Sequence, residues 1–148
     1  MPLLRTDKKN VDFLKLVNLL DASLAITDGE DHEFYHQFNG TDNLEAIVVA
    51  YKDRVAVGCG ASRVKSNKIV EIKRMYTLTE YRQQGWARKI LTELEKWAKE
   101  LNYKECILET GINQKEALLF YPKLKYEQIP NFGPYVEVEN SFCFGKKL

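Results

Sequence analysis

The run Arg82-Gln83-Gln84-Gly85-Trp86-Ala87 holds the residues whose types and spacing most clearly could do chemistry. It lies between a strand-like stretch and a helical one. The first N–H groups of a helix have no intrahelical partner, and the helix dipole is positive at that end. Gly85 lets the backbone come close to a ligand, Ala87 is small, and Arg82 and Arg88 add positive charge. The combination suits a phosphate or pyrophosphate. The same residues could equally form an ordinary turn containing one glycine. A phosphoryl-transfer loop is disfavoured, because no Gly-Lys-Ser/Thr follows.

Two elements must position this loop. Residues 69–78, Ile-Val-Glu-Ile-Lys-Arg-Met-Tyr-Thr-Leu, are rich in β-branched and aromatic types and predict a central strand. Residues 88–101 predict a long helix, with Ala87, Ile90, Leu91, Leu94, Ala98 and Leu101 at three- and four-residue steps forming one buried stripe. Glu95 and Lys99 stand four apart in the favourable order for a pair on its surface.

The chain has 148 residues, which bounds it to one domain. A net charge of +1 offers no large field for nucleic acid or an anionic membrane. No stretch approaches the ~20 apolar residues of a membrane span, and Arg5, Asp7, Lys8 and Lys9 interrupt any leader-like run. Cys59, Cys106 and Cys143 are odd in number, far apart and without metal-ligand spacing. Cys59 and Cys106, in strand-like apolar runs, read as buried thiols, which favours a reducing cytoplasm.

In chain order, Leu3 to Arg5 suggest a first strand. Asn10 can cap a helix running to about Leu24, followed by a polar break at residues 28–31. A second helix is expected at residues 32–38 and a loop at 39–43. Strands at 44–51 and 55–64, joined by short turns to the central strand, predict an antiparallel meander. The pair Gly58 and Gly60 signals a bulge or a close neighbour. Beyond the long helix, a strand at 105–110 should run parallel to the central one through a right-handed crossover. Asn113 can cap a helix from Gln114, with Glu116 completing a capping-box-like pair and Pro122 ending or kinking it. A short strand near Lys125 to Glu127, a shaped loop at 129–139 and a last strand at 141–147 complete the order.

Several of these patterns together resemble the GNAT superfamily of N-acetyltransferases, in a bacterial small-molecule type. The Arg82-x-x-Gly85-x-Ala87 loop is similar to that family's acyl-CoA pyrophosphate loop. Glu71 to Thr77 looks like its fourth strand, and Leu108-Glu109-Thr110-Gly111 with Asn113-x-x-x-Ala117-x-x-x-Tyr121 looks like its second CoA-contacting block. Asn131 to Tyr135 and Ser141-x-Cys143-x-x-Lys146 are similar to the tail of the subgroup. Gln83 stands where many members have glycine, Thr79 where proline is common, and Pro122 where the helix usually continues.

The resemblance implies an α/β (α+β) fold in one domain, residues 1–148: a mixed, mostly antiparallel sheet of about six to seven strands with a splayed parallel pair, flanked by about four helices. It implies acetyl-CoA as cofactor and direct transfer of its acetyl group to a primary amine of a small molecule in a ternary complex. A protein or peptide N-acetyltransferase, or a catalytically silent CoA-binding module, are the alternatives. Implied CoA contacts are Met75, Tyr76, Thr77, Arg82, Gln83, Gln84, Gly85, Trp86, Ala87, Arg88, Asn113, Ala117 and Phe120. Glu71 matches a glutamate base, or is an edge carboxylate paired with Lys73 or Lys104; Tyr121 matches a tyrosine acid, or is a packed aromatic. Tyr35, Glu109 and Tyr135 are candidates for the amine pocket, and Glu109 could hold a cationic amine. His32 and His36 could be bases, although isolated surface histidines are more often inert. The implied partners are a small amine and, at most, a second copy of the chain in a homodimer. No metal, nucleic acid or membrane is expected.

Overall fold

In a computed structural model, which describes residues 2–38, 40–41 and 43–148, the meander is present. Strands β1 (Leu3–Thr6), β2 (Ala46–Lys52), β3 (Val55–Ser66) and β4 (Ile69–Thr77) pair antiparallel in sequence order. β5 (Glu105–Gly111) lies parallel to β4, and β7 (Ser141–Lys147) inserts between β5 and β6 (Glu127–Ile129). The sheet order is therefore β1-β2-β3-β4-β5-β7-β6, with one parallel pair. Of the loop expected at 39–43, Asn39 and Asp42 lie outside the described residues.

Among the described residues, four α-helices flank the sheet: α1 (Val11–Asp28), α2 (His32–His36), α3 (Trp86–Glu100) and α4 (Lys115–Lys123). Helix α1 runs past the expected end near Leu24, and the polar stretch that follows is a 3-10 turn, Gly29–Asp31, leading straight into α2. Phe13, Leu16 and Val17 of α1 pack on Ile47, Val49 and Cys59, while Ile90, Leu91 and Leu94 of α3 pack on the opposite face against Val48, Val57 and Ile72. Burying both faces explains why β2 reads as a continuous apolar run rather than an alternation. The Asn10 side chain accepts from the Phe13 N–H at 2.9 Å, which caps α1. Asn10→Ala is expected to lower unfolding stability by about 1 kcal/mol in denaturant melts. No loss would mean that water caps the helix equally well.

Three expectations need correction. Helix α3 begins at Trp86, and its stripe ends at Ala98: Leu101 is 57% exposed, because it lies beyond the last turn and Tyr103 packs there instead. Glu95 does not pair with Lys99. It faces the sheet, where it accepts from Tyr126 Oη at 2.7 Å and Lys146 Nζ at 3.0 Å. Asn113 caps nothing: the N-cap of α4 is Gln114, with no side-chain capping bond, so no capping box with Glu116 forms. The helix starts one residue later than expected, and Gln114 turns its amide to Asp28 Oδ1 at 3.1 Å. Pro122 sits inside the last turn, and the helix ends one residue after it.

The central strand carries the feature that shapes the site. Cys59 opposes Tyr76 and Ala61 opposes Lys73, so Gly60 on β3 faces both Arg74 and Met75 on β4. This is a bulge on β4, with Arg74 at φ +58°. A Cβ on Gly60 would collide with Met75 Sδ and with Ile90 of α3. The glycine that signalled a bulge or a close neighbour thus marks both, with the extra residue on the partner strand.

Candidate active site

β4 and β5 pair only from Ile69↔Glu105 to Glu71↔Ile107. Both strands continue beyond that point, β4 to Thr77 and β5 to Gly111, without pairing to each other. Strands that pair and then separate leave backbone N–H and C=O groups along the open edges, and these need other partners. The bulge at Arg74 and Met75 lies at the divergence and bends β4 away. Leu78 donates its N–H to Val57 O on β3, at 2.8 Å. By the alternation of a strand, Thr77 therefore aims its backbone groups at the open edge, with Met75 beside it in the bulge.

The opening encloses about 160 Å³ between the strands. Its walls are the diverging strands, the Ala117 and Tyr121 face of α4, the C-terminal half of α1, and two buried tyrosines, Tyr35 and Tyr135. Tyr35 Oη and Ser141 Oγ are 2.8 Å apart and fix one another.

At the end of β4 the chain turns through a 3-10 turn, Thr79–Tyr81, into the loop before α3. Arg82 folds back on the strand: its Nε donates to Thr77 O at 3.0 Å, and its guanidinium lies over the Tyr76 ring. The loop is therefore anchored to the end of the open edge. Gln83 has φ +60° and Gly85 φ +87°. Helix α3 has no side-chain cap, and Lys89 is its first residue bonded to a backbone acceptor, Gly85 O at 3.1 Å. The N–H groups of Trp86, Ala87 and Arg88 are thus left for an external partner. A Cβ built on Gly85 meets nothing within 4 Å, so space for that partner is open. These residues fit a diphosphate at the loop and a slender arm along the strand.

The inner end of the opening is rich in carboxylates. Glu71 is buried, with its oxygens 3.7 Å from Arg63 Nε and 3.8 Å from Lys73 Nζ. These are ion-pair contacts, too long for hydrogen bonds. Lys73 Nζ donates instead to Phe38 O at 2.8 Å, and burial pushes its pKa below the ordinary lysine range. Glu109 differs from Glu71: its Oε2 is buried with no hydrogen-bond partner among the described residues. Burial raises its pKa to about 7, offset in part by the Ser141 hydroxyl and the Lys73 charge. Burial likewise raises the pKa of Asp28 and of the Tyr121 hydroxyl.

Of the residues singled out in sequence, Glu71, Met75, Glu109, Ala117, Tyr121, Tyr35 and Tyr135 line this opening. Thr77, Arg82, Gln83, Gln84, Gly85, Ala87 and Arg88 sit on its outer edge and loop. The Trp86 side chain is core, so only its backbone can serve a ligand, and Tyr76 packs against Arg82 and the α1 face of the sheet. Phe120 stacks edge-on against Tyr121, and Asn113 is exposed, away from the lining. Asp28 and Gln114 line the opening and were not anticipated. Asp28 read as part of a polar break, and Gln114 was masked by Asn113 beside it.

A sequence profile described as the Acetyltransferase (GNAT) family matches residues 13–126. The uncharacterized N-acetyltransferase YjgM of Escherichia coli is 34% identical over 111 residues, covering 74% of this chain and 66% of that protein. An IAA acetyltransferase of Azospirillum brasilense is 30% identical over 90 residues, covering 60% of this chain and 59% of that one. The matches therefore span about two thirds or less of these relatives' own lengths. Among solved structures, a Klebsiella pneumoniae protein assigned as an acyl-CoA N-acyltransferase superposes with a TM-score of 0.83 at 26% identity, covering 99% of this chain and 97% of that one. The PaiA N-acetyltransferase of Thermoplasma acidophilum, solved with coenzyme A, shares the fold at a TM-score of 0.75 and 18% identity over the full length of both chains. The splayed parallel pair and the uncapped helix thus occur in a chain whose profile match covers most of its length, and the chain belongs to the GNAT family of acetyltransferases.

Proposed function

We propose that this protein transfers the acetyl group of acetyl-CoA to a primary amine of a small molecule, by direct attack in a ternary complex. The observation that carries the reading is the open β4 edge from Ile72 to Thr77, tied through Arg82 to the uncapped start of α3. Bound acetyl-CoA supplies the activated acetyl group. The N–H groups of Trp86, Ala87 and Arg88 hold its diphosphate, and the open-edge backbone of Met75 and Thr77 holds its pantetheine amides. The Met75 N–H would serve the acyl carbonyl oxygen, since a donor aimed at developing negative charge lowers the barrier.

A lysine-like ammonium has a pKa of ~10.4 and an α-amine ~8, so deprotonation at pH 7 costs on the order of 1–5 kcal/mol. A carboxylate beside the nitrogen can take that proton, and Glu71 and Glu109 both reach the opening. Tyr121 Oη gives a proton to the departing sulfur. A phenol, with an ordinary pKa of about 10, carries its proton at neutral pH. Three carboxylates, Asp28, Glu71 and Glu109, line the opening against two cations, Lys73 and Arg74, and this surplus of acidic groups favours a cationic small amine. Three buried free thiols support a reducing, cytoplasmic setting.

The test is a thiol-release screen of purified protein with acetyl-CoA against amino acids, polyamines, aminoglycosides and peptides. Release driven by small amines is expected. Release only with peptides would overturn the substrate class, and no amine-dependent release would overturn the reaction. Tyr121→Phe is expected to lower turnover by about 100-fold with little change in CoA affinity. Rates equal to wild type would leave Tyr121 as packing.

A further inference from the structure

We propose that Glu109, through the Oε2 oxygen that the protein leaves unpaired inside the β4–β5 opening, takes the proton from the acceptor amine, while Glu71 is a positioning residue that holds Lys73 and Arg63. This rests on the acetyltransferase reading above and names the proton acceptor at that same site.

Three observations separate the two carboxylates. Glu71 lies between two cations, and its charge is committed to them. Its oxygens are thus already turned to groups of the protein rather than to an incoming amine. Glu109 has no ion pair among the described residues, and one of its oxygens has no hydrogen-bond partner. Buried polar atoms in native proteins are nearly always paired, so an orphan that faces a ligand opening points to a partner that arrives with the ligand. Position agrees with this. Glu71 sits in the last paired register of β4 and β5, whereas Glu109 lies two residues beyond it on the β5 wall, where the strands have separated.

The groups around Glu109 come from every side of the opening. Glu71 and Lys73 face it from β4, Asp28 from α1, and Ser141 and Cys143 from β7. The Tyr35 and Tyr135 hydroxyls feel its charge from α2 and the loop before β7. Desolvation outweighs the Lys73 charge and the Ser141 hydroxyl, which leaves Glu109 titrating at about 7. A base with that value is ionised when needed and still accepts a proton near neutral pH.

The step balances as follows. The ammonium gives one proton to Glu109 Oε2. The freed nitrogen pair bonds to the acetyl carbonyl carbon, and the C–S bond breaks with its electron pair on sulfur, which takes the Tyr121 Oη proton. The nitrogen's second lost proton restores the Tyr121 hydroxyl. Glu109 then releases its proton to water, so that amide, free thiol and one proton leave.

Two measurements test this. The first needs no acceptor: a carbon-13 NMR titration of glutamate side-chain carboxyls in the whole protein. One carboxyl titrating near pH 7 is expected in wild type and absent in Glu109→Gln. A Glu109 resonance titrating in the ordinary carboxylate range would overturn the proposal. The second uses the small amine giving the fastest thiol release in the screen. Wild-type kcat/KM should fall as pH drops through about 7, since protonated Glu109 accepts nothing. Glu109→Gln should lose that limb and 100- to 10,000-fold in rate, with CoA affinity by isothermal titration held within threefold. Glu71→Gln should keep the limb. Loss of the limb in Glu71→Gln but not in Glu109→Gln would overturn the assignment while leaving acetyl transfer standing. Thiol release with no amine would overturn both.

Discussion

Gly85→Glu is expected to abolish CoA binding while leaving the fold intact. Gly85 sits at φ +87°, where any side chain is strained, and a built Cβ meets nothing within 4 Å. The left-handed conformation costs a non-glycine residue about 1–2 kcal/mol, and Gly85→Ala isolates that cost. Glutamate adds a negative charge just where the uncapped N–H groups of Trp86 to Arg88 are open to an anion. A carboxylate there competes for those donors and repels a diphosphate. CoA affinity is expected to fall at least 100-fold, about 2.7 kcal/mol, with Gly85→Ala losing only a few-fold. The charge component should shrink as salt rises, since the screening length falls from about 8 Å at 0.15 M to about 3 Å at 1 M. Isothermal titration of CoA into the three proteins, with circular dichroism to check folding, decides the matter. Affinity unchanged in Gly85→Glu would take the loop out of the site.

That prediction was accessible from sequence because the loop's signal is local. One glycine between a strand and a helix, with an arginine three residues before it, describes itself. The meander and α3 were legible for the same reason, since their apolar periods are set by burial of one or both faces. What was not legible depends on contacts far apart in sequence. Where the strands have separated, β4 carries a bulge in which Arg74 takes a positive φ opposite Gly60, and only Gly58 and Gly60 hinted at it. Asp28 looked like a loop residue until Gln114, 86 positions later, supplied its partner. Glu95 looked like half of a surface pair with Lys99 until β7 brought Lys146 to it. Along the chain Glu71 stood as the base and Glu109 as a residue of the amine pocket; what separates them in the fold is the pair of cations, Arg63 and Lys73, brought to Glu71.

The buried guanidinium at the bulge gives the second large effect. Arg74 is 2% exposed at its side chain, and its Nη2 pairs with Asp21 Oδ1 of α1 at 2.5 Å. Its other bond, to Val17 O, is 3.4 Å long, and Nε has no partner among the described residues. Asp21 is thus the main compensation for a charge held out of water. Removing one partner of such a pair typically costs 3–5 kcal/mol, because the remaining ion cannot be solvated where it lies. Asp21→Ala is therefore expected to lower the Tm by about 10 °C at this chain length. Replacing both partners, as Asp21→Leu with Arg74→Met, removes the charge together with its counter-charge and should recover most of the loss. The positive φ at residue 74 strains arginine and methionine alike, so it cancels from the comparison. Thermal melts of wild type, the single variants and the pair form a double-mutant cycle with a coupling energy of at least 2 kcal/mol expected. If Asp21→Ala melted within 1 °C of wild type, the guanidinium would be reaching water, and the bulge that opens the site would owe its position to packing alone.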